Sequence, residues 1–71
     1  MLNQKIKALR LEHGYSQTYV ARVLGITRSA YSMYEKGIRT PNYTTIITLA
    51  DIYQVSTDYI FGRTDNKNLY K

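Results

Sequence analysis

Residues 16–37 of the 71-residue chain read SQTYVARVLGITRSAYSMYEKG, a pattern typical of two short helices joined by a tight turn at Gly25. Because a helix turns by about 100° per residue, the second helix has two distinct faces. One face is mostly small, polar or basic, and it contains Arg28, Ser29, Ser32, Met33 and Lys36. The opposite face is apolar and aromatic, and it contains Ala30, Tyr31 and Tyr34. The pattern therefore predicts a helix that is anchored from behind and exposed in front.

The predicted front of this helix suits nucleic acid. Compact polar and basic side chains match base edges and phosphates, and the major groove of DNA admits one α-helix. The net charge of the chain is +5, from ten Lys and Arg against five Asp and Glu. Between residues 20 and 43 the one acid is Glu35, whereas the basic residues are Arg22, Arg28, Lys36 and Arg39. This local excess favours a polyanionic partner, and a solvated basic surface is the alternative explanation.

The spacing of apolar residues predicts an all-α chain. Helices are expected over residues 2–13, 17–24, 28–36, 43–53 and 57–61, where apolar residues recur at intervals of three and four. Four of these helices follow a residue suited to the N-cap position, namely Ser16, Thr27, Asn42 and Ser56. We expect a compact five-helix domain over residues 1–62 and a polar C-terminal tail over residues 63–71.

The composition argues against catalysis, cofactor binding and membrane insertion. The sequence has no cysteine and a single histidine, His13, which leaves too few ligands for a typical zinc site. No pair of side chains suggests a nucleophile with its base, so we expect neither enzyme activity nor a metal or other cofactor. No apolar run approaches the roughly 20 residues that cross a bilayer, and the N-terminus lacks the apolar segment of a signal peptide. We therefore expect no membrane partner and a cytoplasmic location.

Six short motifs resemble the helix-turn-helix domain of the Cro/cI-type phage repressors, also called the XRE family. They are SQ at 16–17, A and LGI within 21–26, YSMYEKG at 31–37, RTP at 39–41, LA at 49–50 and VSTDYIFG at 55–62. The resemblance extends from about residue 6 to residue 62. It implies a lambda-repressor-like fold with a central helix-turn-helix, in a regulator encoded by a bacterium, a phage or a mobile element.

The resemblance, together with the charge pattern, gives roles to individual residues. Helix three, about residues 28–36, is expected to enter the major groove and to read bases through Arg28, Ser29, Ser32 and Met33. Contacts with the DNA backbone are expected from Ser16, Gln17, Arg22, Thr27, Lys36, Arg39, Thr40 and Tyr43. In the family Gln17 would also brace a side chain of helix three, and Arg10 would form a structural ion pair with Glu35.

Three positions depart from the family pattern. Met33 stands where relatives often have a polar or basic residue, and Tyr31 and Tyr53 stand where a core aliphatic residue is usual. The hydroxyl of a buried tyrosine must reach water or a partner, so both tyrosines need such a contact.

The function implied is a sequence-specific transcriptional regulator, in the form of a repressor, that binds a two-fold operator in double-stranded DNA as a homodimer. The alternative is a protein-interaction module with the same fold, of the antitoxin or adaptor type, which would act on a protein partner. An interaction module has no need of Arg28 beside Gln17, so the basic front of helix three favours DNA. For Arg28 itself, a bidentate contact with guanine competes with a phosphate contact or a solvated side chain.

Overall fold

Five helices account for the fold. The computed structural model describes residues 2–66, and its helices are α1 (Leu2–Glu12), α2 (Gln17–Leu24), α3 (Arg28–Lys36), α4 (Tyr43–Tyr53) and α5 (Thr57–Ile60). The described part of the chain contains no strand, and the all-α prediction is confirmed. Two predicted ends are one residue too long, because α1 ends before His13 and Phe61 caps α5. Residues 67–71 of the expected tail lie outside the described residues, and the division after residue 62 stays a prediction.

Polar caps and left-handed residues determine where the helices begin and end. Each predicted N-cap side chain accepts a hydrogen bond from the backbone amide three residues later, and these caps are Ser16, Thr27, Asn42 and Ser56. Gly25 ends α2 with φ of 76°, and Gly37 ends α3 with φ of 78°. Such positive φ values are readily adopted by glycine and strained for other residues. The chain can therefore reverse within three residues between α2 and α3.

The helices pack around one apolar core. The apolar residues that lose almost all contact with solvent are Ile6, Leu9, Val20, Ala21, Tyr31, Ile46, Leu49, Ala50, Tyr53, Val55 and Ile60. The spacing of apolar residues at intervals of three and four accounts for the inward faces of the helices. Leu2, Leu24 and Ile26 are only partly buried against this core.

The packing leaves one face of α3 exposed. The rear of α3 rests on α1 and α2, and Tyr31 is completely buried there. α4 and α5 pack against each other and against α1, on the other side of the core. Within residues 2–66 no helix is long and apolar enough to cross a membrane, and no three His, Asp or Glu side chains are grouped to hold a metal ion.

Candidate nucleic-acid interface

A shallow groove lies along the exposed front of α3. Its volume is about 340 Å³, and its lining residues are Arg28, Ser29, Ser32, Met33, Lys36 and Ile38. The four predicted base-reading residues therefore share one surface with Lys36. Arg28, Ser29 and Lys36 are exposed, whereas Ser32 and Met33 are half-buried. The groove thus combines two cationic side chains with small hydroxyls and a thioether.

Ile38 is a groove residue that the sequence reasoning missed. It follows Gly37, the residue that ends α3, and its backbone amide donates a hydrogen bond to the Met33 carbonyl at 3.0 Å. Its side chain is nevertheless 68% exposed. An apolar residue directly after a helix-ending glycine marks this position in the sequence. That pattern normally indicates a contact with the preceding helix rather than an exposed side chain.

A buried carboxylate holds the rear of α3. Glu35 is 8% exposed, and its two oxygens accept hydrogen bonds from three side chains. Arg10 donates through Nε at 2.6 Å and through Nη2 at 3.1 Å. Gln17 donates through Nε2 at 3.1 Å, and the Tyr31 hydroxyl donates at 2.5 Å. The structure therefore brings together Arg10 and Glu35, the expected ion pair, and gives the buried Tyr31 hydroxyl a partner.

Burial and these hydrogen bonds together shift the pKa values of the buried groups. Burial opposes ionisation of Glu35, but the bonds from Arg10, Tyr31 and Gln17 outweigh it, so the pKa of Glu35 lies below its ordinary value. The same pairing raises the pKa of Arg10. Burial, followed by the bond to Glu35, raises the pKa of Tyr31. Burial also raises the pKa of Tyr53 to about 12, and no residue within 2–66 offers its hydroxyl a hydrogen bond of good geometry.

Gln17 connects the buried carboxylate with the groove. Its Nε2 donates to Glu35, and its Oε1 accepts a hydrogen bond from Nη1 of Arg28 at 3.0 Å. Because the carboxylate accepts only from the NH₂ end of the amide, Glu35 determines that the carbonyl end of Gln17 faces Arg28. A buried charge thereby orients an exposed guanidinium through one intervening side chain. The NH₂ group has a second hydrogen, so Gln17 can still donate to another acceptor.

The residues predicted to contact the DNA backbone are distributed over helix ends and loops. Apart from the half-buried Gln17, all of them are exposed: Ser16, Arg22, Thr27, Lys36, Arg39, Thr40 and Tyr43. Arg39 and Thr40 line a second hollow, of about 200 Å³, together with Asn3. Asn3 is another residue missed at the sequence level, and its Nδ2 donates to the backbone carbonyl of Glu35 at 3.3 Å. This bond ties the N-terminal turn of α1 to the end of α3.

Known proteins share both the sequence pattern and the fold. Residues 6–60 match a family model described as helix-turn-helix. Over 71 residues the chain is 37% identical to the uncharacterized HTH-type transcriptional regulator YqaE of Bacillus subtilis. This alignment covers all of this chain and 61% of YqaE. Over 55 residues it is 38% identical to the cryptic phage CTXphi transcriptional repressor RstR of Vibrio cholerae. This alignment covers 78% of this chain and 50% of RstR. The chain thus spans between half and about three fifths of the length of these curated relatives.

A solved structure with a similar fold contains DNA. The crystal structure of the P22 c2 repressor protein in complex with synthetic operator 9T matches with a TM-score of 0.78 and 25% sequence identity. The match covers 84% of this chain and 91% of that chain. With five helices, the capped turn at Gly25 and an exposed front on α3, the chain belongs to the helix-turn-helix family, in its Cro/cI type.

Proposed function

We propose that the protein is a sequence-specific DNA-binding transcriptional regulator that acts as a repressor. The observation that carries the proposal is the groove on α3, where exposed Arg28 and Lys36 flank small polar side chains. The helix is held from behind by the buried Tyr31 and Glu35, so its front can be presented to a ligand without rearrangement. The names of the relatives, and the operator in the P22 c2 complex, support this reading.

In this proposal α3 enters the major groove of the operator. Arg28 forms a bidentate contact with O6 and N7 of a guanine, which is the commonest specific contact in protein–DNA complexes. Its hydrogen bond to Gln17 uses one N–H group of the guanidinium and leaves others for the base. Ser29, Ser32 and Met33 meet neighbouring base edges along the same face.

Contacts with phosphates hold α3 in register. Gln17 lies in the first turn of α2, where the helix dipole favours an anion, and it donates its second N–H to a phosphate oxygen. The exposed residues around the groove add further contacts, and Arg39 and Lys36 release counterions from the DNA when they bind. These contacts raise the affinity for every sequence and do not discriminate between bases.

We infer that two copies of the chain bind one operator. A two-fold operator presents two equivalent half-sites about 34 Å apart, one turn of the double helix, and each half-site would receive one α3. The complex would form in the cytoplasm, on the nucleoid. A repressor acts in this arrangement by occupying a site that polymerase requires.

Selection of binding sites from random duplex DNA, followed by salt titration, tests the proposal. We expect the full chain to enrich a two-fold motif and to lose affinity steeply as salt rises. Failure to enrich any sequence, or an affinity that does not change with salt, would refute the proposal that the protein is a sequence-specific DNA-binding regulator. That result would favour a protein-interaction module of the antitoxin or adaptor type.

Two arginine variants separate base reading from backbone binding. Arg28→Ala is expected to relax the preference at one base position per half-site, a loss of about 1–3 kcal/mol of discrimination. Arg39→Ala is expected to weaken binding to all sequences alike and to reduce the salt slope by about one. Binding profiles on operator, single-base variants and unrelated DNA measure both effects. Indistinguishable profiles for the two variants would contradict the assigned roles.

A further inference from the structure

All five helices within residues 2–66 end in the same backbone motif. A residue in the left-handed conformation follows the helix, and the next backbone amide donates to the carbonyl five residues earlier. The residues that donate this bond are Tyr15, Ile26, Ile38, Val55 and Arg63, and the first four carry an apolar or aromatic side chain. In this motif an apolar side chain at the donating position usually packs back onto its helix.

Ile38 differs from the other three members of this set that carry an apolar or aromatic side chain. Val55 is buried, and Tyr15 and Ile26 are half-buried against the core. Ile38 is 68% exposed, although its backbone follows the same path. The motif therefore fixes the position of Ile38 without burying its side chain.

The exposed Ile38 lines the groove on α3, as does Met33, whose backbone carbonyl accepts the hydrogen bond from the Ile38 amide. These two are the apolar residues of the groove lining, and Arg28 and Lys36 give the same groove a positive charge. Two cations beside the apolar part favour a polyanion over an apolar protein surface as the occupant. The apolar group that DNA presents on a base edge in the major groove is the C5-methyl of thymine.

We propose that Ile38, together with Met33, forms an apolar subsite that receives the C5-methyl group of a thymine in the operator. The inference rests on the proposed function, because it requires α3 to lie in the major groove. It makes Ile38 a specificity-determining residue that lies outside the reading helix. The subsite recognises thymine by the methyl group that distinguishes it from uracil.

Replacing thymine by deoxyuridine tests the subsite one methyl group at a time. The full chain and its Ile38→Ala variant are titrated against the selected operator and against operators in which single thymines are replaced. For the wild type, we expect about a fourfold loss of affinity at one thymine per half-site, the value for burying one methyl group. The Ile38→Ala variant should bind the thymine and uracil forms of that position with nearly equal affinity. Alanine retains the backbone amide that bonds to Met33, so the variant keeps the end of α3.

Leu11→Ala is the matched control, since Leu11 is 59% exposed on α1 and does not line the groove. This variant should retain the full sensitivity to uracil. The inference is overturned if the wild type tolerates uracil at every position, or if Ile38→Ala leaves the sensitivity unchanged. It is also overturned if Ile38→Ala weakens the operator while keeping the thymine-to-uracil difference, which would indicate contact with a sugar. In each case the enriched operator and its salt dependence still stand, whereas failure to enrich an operator would refute the proposed function itself.

Discussion

The two faces of α3 use polar groups in opposite ways. At the rear, Glu35 is buried and accepts hydrogen bonds from Arg10, Gln17 and Tyr31. At the front, the adjacent residue Lys36 is exposed on an open groove. One face of the helix is therefore held by hydrogen bonds to a buried carboxylate, and the other presents its polar groups outward.

The comparison shows how a small domain can present an exposed helix face in a fixed orientation. A 71-residue chain has a limited apolar core, so the orientation of α3 depends on the directional bonds at Glu35 as well as on packing. The same bonds continue through Gln17 to Arg28. Changes at the rear should therefore affect stability, and changes at the front should affect DNA binding.

Replacing the buried carboxylate should have the largest effect on stability. Glu35→Ala leaves Arg10 buried without its counter-charge, and the free energy of unfolding is expected to fall by about 3–5 kcal/mol. For a domain of this size that loss approaches the whole stability, which is of the order of 5 kcal/mol. Urea denaturation followed by circular dichroism measures the change.

Lys36→Ala is the control for this experiment, because it removes the neighbouring charge from the opposite face. Its expected change in the free energy of unfolding is about 0.5 kcal/mol or less. Equal decreases in the free energy of unfolding of the two variants would contradict the division of α3 into a rear that stabilises the fold and an exposed front.

Acid should weaken the rear of α3 without any mutation. The pKa of Glu35 is lowered in the folded state, so the folded chain binds this proton less readily than the unfolded chain. Its contribution to stability is therefore present above about pH 4.3, the unfolded value, and is lost as the pH falls further. Urea denaturation between pH 7 and pH 3 should show that the free energy of unfolding falls as the pH falls. In Glu35→Gln this decrease should be smaller. If the free energy of unfolding of Glu35→Gln falls just as steeply with pH, the loss of stability in acid would belong to other carboxylates.

Removing one hydroxyl should produce a smaller loss. Tyr31→Phe keeps the buried ring but deletes a hydrogen bond to a carboxylate, and about 2 kcal/mol of stability is expected to be lost at neutral pH. The pKa of Tyr31 is raised in the folded state, so its contribution is present below about pH 10 and is lost as the pH rises further. Tyr31→Phe should therefore also lessen the alkaline loss of stability. A variant as stable as the wild type at pH 7 would show that the hydroxyl is dispensable.

The helices were predictable because the information that specifies them is local. The spacing of apolar residues gave the core, and the caps at Ser16 and Thr27 with the glycines at 25 and 37 gave the ends of α2 and α3. The predicted end of α4 at residue 53 is also correct, although Gln54 takes the left-handed conformation with φ of 56° where glycine is usual. That conformation itself was not predicted, because no local pattern distinguishes this glutamine from an exposed helical one.

The sequence identified five of the six residues that line the groove, but only some of the contacts behind it. The family resemblance paired Arg10 with Glu35 and assigned Gln17 a bracing role. The bond from Tyr31 to Glu35 depends on how the buried phenol lies against the carboxylate, which the sequence does not specify. Ile38 was missed because its exposure depends on which elements pack beside the end of α3 and not on residue type.

The smallest expected effect separates two isoleucines in the same backbone motif. Ile26 follows the glycine that ends α2 and packs against the core, whereas Ile38 follows the glycine that ends α3 and is exposed. Ile26→Ala should lower the free energy of unfolding by about 2 kcal/mol, the lower end for a core isoleucine. Ile38→Ala should change it by about 0.5 kcal/mol or less. Urea denaturation of both variants measures this difference. If Ile38→Ala lowers the free energy of unfolding as much as Ile26→Ala does, the side chain of Ile38 stabilises the fold. Its place in the groove would then have a structural explanation.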